Sequence, residues 1–257
     1  MFTWRHFVWL TICTVFEVCA IMSYKKRHPS LKSVLNSALV ICAFSEITKV
    51  LSTIEMVPSS DGSMIFPYIP LNHLPLHLCS IQILLIIYVR FTSNEKTRET
   101  ILAFMYPTCL FGAIAALLMP SIFTTTIPVE KAFVSPISYQ FFIFHSMLIA
   151  LGVIIALSGE VKFNRKQFYS TLAIFFVVGF VSLYINSMFA SPVYENGKLI
   201  SVEFWPNFFF TYNNPLGIKV TEKWQWILYL LIVSAIAVLL TSISYLPFIN
   251  KNRKTTD

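Results

Sequence analysis

The sequence predicts an all-α, polytopic membrane helix bundle with seven transmembrane helices, the N-terminus outside and the C-terminus inside. Three observations lead there. Of the 257 residues, 56% are hydrophobic and only 12% charged, far from the mix of a soluble globular domain. The apolar residues fall in runs long enough to cross about 30 Å of hydrocarbon. Lys and Arg gather in alternate connections between those runs, which is how a net charge of +7 reports topology. Nothing in the pattern supports nucleic-acid binding.

Taken in order, the first span covers about residues 4–24, and no small-residue cleavage site precedes Lys25 to His28, so it reads as a retained helix and not a removed signal. The second, about 33–56, carries Glu46 and Lys49 on a shared helix face. Residues 57–72 read as a loop with Pro58, Pro67, Pro70 and a Ser-Ser-Asp-Gly turn. The third span, about 73–90, is the helix around which the chain is organised. A fourth follows at about 100–119, kinked at Pro107. The fifth (about 136–158) holds His145, and the sixth (about 168–190) holds Asn186. Residues 191–223 are rich in aromatics and Asn, and are expected to fold over the bundle mouth or lie at the interface. The seventh span is about 224–248. The whole chain, 1–257, reads as one domain.

Orientation follows from the basic residues. Lys25, Lys26, Arg27, Arg98, Lys162 and Arg165 are among those on one side, whereas the other has only Arg5, Lys131, Lys198, Lys219 and Lys223. The five cysteines (Cys13, Cys19, Cys42, Cys79 and Cys109) all lie in apolar segments without a CxxC pair, which argues against a disulfide framework or structural zinc.

The third span opens with NHLPLHLCSIQ. Pro75 suits a first helical turn, which places Cys79 about one turn inside the N-terminus. There the helix dipole favours a thiolate. The competing reading of a Cys in an apolar helix is a small packing residue. At about 1.5 Å per residue, Cys79 lies roughly 5–10 Å deep, His145 about 14 Å and Glu46 about 12–15 Å, with Asn186 nearer the outer mouth. Ionisable groups at such depth face the bundle interior and find partners. Glu46 and Lys49 read equally as a neutralising pair, Asn186 as an interhelical hydrogen bond, and the deeper Glu17 as a partner for either.

On a helical wheel Cys79, Gln82 and Pro75 share one side, and His73 and His77 another. His145, arriving from a different helix, is therefore the better base for the thiol, against the reading of a satisfied core histidine. His77 then sits behind it or donates to an oxyanion. His73 and His77 at i,i+4, with His145 or Glu46, have zinc-ligand chemistry, and His77 with His145 is the one pair that suits haem. The i,i+4 spacing alone is common, and neither a metal nor a cofactor is expected.

The HLPLHLCSIQ block at His73 to Gln82, Glu46 in the preceding span, FHSMLI at Phe144 to Ile149 and YNNP at Tyr212 to Pro215 together resemble the YwaF-like bacterial integral membrane proteins, a family similar to the eukaryotic transmembrane protein 164 acyltransferases. The resemblance covers essentially the whole chain. It implies an enzyme of a bacterial cell membrane that moves fatty acyl chains between lipids, with Cys79 as nucleophile and His145 as base. His77, Gln82 and Asn186 are then candidates for the oxyanion and Glu46 for substrate contact, with membrane lipids as substrate and no obligate protein partner. A reading from another class is a transporter or small-ligand carrier in which Glu46, Lys49 and the histidines line a pathway.

Overall fold

A computed structural model of the chain describes residues 2–204, 206–212 and 220–253, with backbone alone at 72, 124, 125 and 249–253. The helices are α1 (Trp4–Arg27), α2 (Leu31–Thr53), α3 (Leu78–Phe91), α4 (Glu95–Leu118), the single turn α5 (Ile122–Thr125), α6 (Pro136–Leu157), α7 (Arg165–Met188) and α8 (Lys223–Arg253). Among the described residues, six helices are long and apolar enough to cross a membrane. The protein is a multi-pass membrane helix bundle. The expected third span is the exception: α3 has 14 residues, about 21 Å at the helical rise, short of the hydrocarbon thickness.

Side-chain caps account for the helix starts. Ser30 accepts from the Ser33 amide at 3.3 Å, Asn94 from Thr97 at 3.1 Å and Asn164 from Gln167 at 3.0 Å, each satisfying an orphan N–H of a first turn. The Asn94 cap starts α4 at Glu95, five residues before the apolar run that marked it in the sequence. Pro75 does not open α3. Residues 71–73 form a 3-10 turn, Leu74 is extended at φ −60° and ψ 146°, and the helix begins only at Leu78. A residue before proline is pushed out of the helical region, so the proline delays the helix and leaves Cys79 as its second residue.

The loop expected at 57–72 contains a hairpin. β1 (Glu55–Pro58) pairs antiparallel with β2 (Ile65–Tyr68), Val57 opposite Phe66. A two-stranded hairpin has only edges, where Pro58 and Pro67 remove no needed ladder bond. Asp61 holds the turn, accepting hydrogen bonds from the Ser59 hydroxyl, the Ser63 amide at 3.1 Å and the Ser63 hydroxyl at 2.8 Å. A second hairpin, β3 (Ser191–Glu195) with β4 (Lys198–Phe204), occupies the long aromatic connection.

The chain forms two compact units. In the first, Met1–Pro75 with Cys79–Lys162, α6 is the central helix and packs on α4, α2 and α1. Its apolar window is 72% buried, against 11% for α1. Gly152 lets α4 come close, since a Cβ there would stand 3.0 Å from Leu110 Cγ and 3.2 Å from the Tyr106 carbonyl. Trp9 stacks on Phe142 at 4.6 Å and donates its indole N–H to the Ala132 carbonyl at 3.0 Å. In the second unit, Leu76–Leu78 with Phe163–Asp257, α7 packs on α8, tied by Thr171 to the buried Tyr245 hydroxyl at 2.8 Å.

Candidate functional site

Cys79 is partly accessible. As the second residue of α3, Cys79 sits in the first turn, whose N–H groups have no partner within the helix. Of the other cysteines, Cys13, Cys42 and Cys109 are buried and Cys19 is exposed on α1. Cys79 thus combines access with a helix N-terminus.

One turn further along α3, Gln82 is fully buried. Its amide donates to the Thr108 hydroxyl at 3.1 Å and its carbonyl accepts from the Cys109 thiol at 3.3 Å. Thr108 passes its own hydrogen to the Phe104 carbonyl at 2.7 Å. An uncharged Thr-Cys pair inside an apolar run gives no signal in sequence, so this relay on α4 is visible only in the structure.

His145 is 7% exposed on α6. Its Nδ1 lies 2.7 Å from the Phe141 carbonyl one turn earlier, and a carbonyl only accepts, so Nδ1 carries the proton and Nε2 is left as the basic nitrogen. The Phe141 and Phe144 rings stand 4.3 and 5.4 Å away. No hydrogen bond joins His145 to Cys79. Direct transfer of the thiol proton requires approach to about 3.2 Å, and catalytic bonds that are long without substrate tighten when it binds.

Glu46 meets Lys49 at 2.7 Å through both carboxylate oxygens, the neutralising pair that their spacing allowed. Glu17 does not join that pair; it faces Ser146 across the α1–α6 contact and lies one turn from Cys13 on its own helix. At the end of the first unit that carries its basic connections, Arg98, read from sequence only as a topology signal, is buried, pairs with Glu160 and donates to the Val89 carbonyl at 3.0 Å. Among the described residues no group of three or more His, Cys, Asp or Glu is placed to hold a metal ion.

In the second unit, Asn186 on α7 is fully buried. Its amide donates to the Phe208 carbonyl at 3.0 Å and the Thr211 hydroxyl at 2.7 Å, and its oxygen accepts the Phe208 amide at 3.0 Å. Both amide hydrogens are used, so none remains for an oxyanion. Asn186 holds a loop whose next two residues, Phe209 and Phe210, have φ of 58° and 52°, a left-handed conformation costly for bulky side chains. The His77 ring meets Phe208 edge-on at 5.0 Å. Tyr212 donates to the Leu183 carbonyl at 3.1 Å; the rest of the YNNP motif, from Asn213, lies outside the described residues.

No curated protein and no solved structure matches the chain. The model of the TMEM164 family matches residues 1–245, which takes in both hairpins and every one of these side chains. The chain therefore belongs to the TMEM164 family.

Proposed function

We propose that the protein is a membrane-embedded lipid acyltransferase in which Cys79 is the nucleophile and His145 the base. The observation that carries this reading is the placement of the half-buried Cys79 in the first turn of α3, in a chain whose family match spans residues 1–245. His145 contributes a buried imidazole with its basic Nε2 set by the Phe141 carbonyl.

The thiol proton passes to His145 Nε2 as the sulfur attacks an acyl ester carbonyl. The tetrahedral oxyanion collects the Cys79 and Ser80 amides in the first turn of α3, since Asn186 is engaged in its own loop and Gln82 is held by Thr108 and Cys109. Collapse breaks the ester C–O bond, and the departing alkoxide takes the proton from His145. An acceptor hydroxyl then gives its proton to His145 and attacks the thioester, which restores the thiol. With water as acceptor the same cycle is hydrolysis.

This chemistry goes with a chain whose N-terminus and Cys79 end face outward, as the Lys and Arg distribution implies, in the bacterial cell membrane that the family resemblance implies. The transporter reading draws less support, because the two charges it would use, Glu46 and Lys49, neutralise each other.

The test is labelling of the purified protein in lipid with a thiol-reactive acyl probe, in the unmodified chain, Cys79→Ala and His145→Ala. A hydroxylamine-sensitive adduct at Cys79 that falls in the His145 variant supports the reading. Labelling of Cys79 no faster than Cys13 or Cys109, unaffected by His145→Ala, refutes it.

A further inference from the structure

We infer that a groove between α2 and α6 holds one acyl chain of a glycerolipid, with the chain's ester carbonyl hydrogen-bonded to Gln140. This deepens the proposed function by placing the lipid, and rests on it only in taking that lipid as substrate.

The groove has a volume of about 500 Å³, within the range of small-molecule sites. It lies entirely on one unit, between two helices long and apolar enough to span a bilayer, where the surrounding solvent is lipid.

Its polarity is graded along its length. Gln140 is the fifth residue of α6, about 6 Å from the helix start on the helical rise. It donates to Ser45 of α2 at 2.7 Å, and Thr48 and Tyr139 lie on the same side. Pro136 and Val134 border its outer end and Phe44 lies beside Ser45, while about one turn deeper the lining is Ile41, Ile143 and Phe144. A glycerolipid has the same order from interface inward: ester first, hydrocarbon after.

The Gln140 amide explains the choice of ligand. A primary amide has two hydrogens and one carbonyl; Ser45 takes one hydrogen, and in hydrocarbon the other needs an acceptor. An ester carbonyl supplies it at that depth, and an alkane does not. Phe44 and Ile143 are 68% and 43% exposed, which leaves the apolar floor open to a chain. Phe144 both lines the groove and packs on His145 at 5.4 Å, so the occupant lies one ring away from the proposed base.

The experiment uses the full chain in phosphatidylcholine vesicles doped with a phosphatidylcholine bearing a diazirine and an alkyne on one acyl chain, irradiated and mapped by peptide mass spectrometry. Adducts are expected on residues 41–48 and 139–144 at about fivefold the level on the lipid-facing Val177 and Phe180, the ratio that one hydrogen bond confers. Gln140→Leu should bring that ratio to near one, and Ile143→Trp, which fills the floor, should do the same. Cys79→Ala should leave it unchanged, so failure of the transferase reading is seen separately in acyl transfer. Even labelling of α2, α6 and α7 in the unmodified chain, which needs no variant to fold, overturns the inference, as does unchanged labelling in Gln140→Leu.

Discussion

Gln82 of α3 donates to Thr108 of α4 across a fully buried contact of 3.1 Å. The same side chain accepts from Cys109, so one amide ties the helix that starts at Leu78 to its neighbour. Gln82→Ala is expected to remove both bonds and leave Cys109 unpaired, at a cost of about 1–3 kcal/mol. Gln82→Leu, which fills the space with apolar atoms, should cost less. Thermal unfolding midpoints in detergent check the order, which a lower midpoint for the Leu variant would reverse.

His145 is expected to matter through Nε2. His145→Ala should lower acyl transfer by about 10²–10⁴-fold, the range for loss of a general base. Nitrogen chemical shifts of the imidazole should report the Nδ1–H tautomer that the Phe141 carbonyl requires. An Nε2–H tautomer would remove the base from the mechanism.

Asn186→Leu leaves the Phe208 amide without its side-chain partner, while the Phe208 carbonyl keeps the Thr211 hydroxyl at 3.2 Å. Such a buried amide costs about 1–3 kcal/mol when unpaired. The loop should open, seen as faster hydrogen exchange at Phe208 than in the parent chain. Unaltered exchange would mean that other contacts hold it.

The hairpin between α2 and α3 should loosen in acid. Hydrogen bonds from Ser59 and Ser63 hold the Asp61 carboxyl down at about 2, below its value in an unfolded chain. A depressed carboxyl contributes stability in full above the unfolded value and loses it as pH falls through the folded one. The Ser63 amide should therefore stay protected at neutral pH and exchange faster, after correction for intrinsic rates, as pH falls from about 4 towards 2. Asp61→Asn should be loose throughout and flat with pH.

Gly152 is where α4 and α6 approach. Gly152→Val would put a branched Cβ against Leu110 and the Tyr106 carbonyl, and overpacking of this kind costs about 1–3 kcal/mol. Gly152→Ala should cost less. Equal unfolding midpoints for the two variants would show that the helices separate freely.

The spans at Trp4–Arg27, Pro136–Leu157 and Arg165–Met188 were legible because an unbroken apolar run of bilayer length has few alternatives to a helix. The start of α3 was harder to read. Pro75 is compatible with a first turn and with a turn before the helix, and only the extended Leu74 decides between them. The hairpin at Glu55–Tyr68 was hidden by its prolines, which demote a strand in sequence but do no harm at an edge. The Glu46–Lys49 pair was readable because it is local, three residues apart on one helix. The partners of Gln82, 26 and 27 residues away, were not.

By itself, then, the sequence determined the membrane environment, the helix runs and the chemical inventory of Cys79, His145, Gln82 and Asn186, since hydrophobic length and side-chain type are properties of the chain alone. Tertiary structure decided what each inventory member does. Gln82 became a tie to Thr108, Asn186 a holder of the Phe208 loop, and Gln140 the polar end of an apolar groove. The physical reason is that a polar group in hydrocarbon must find a partner, and which one it finds depends on helix packing that no local spacing encodes.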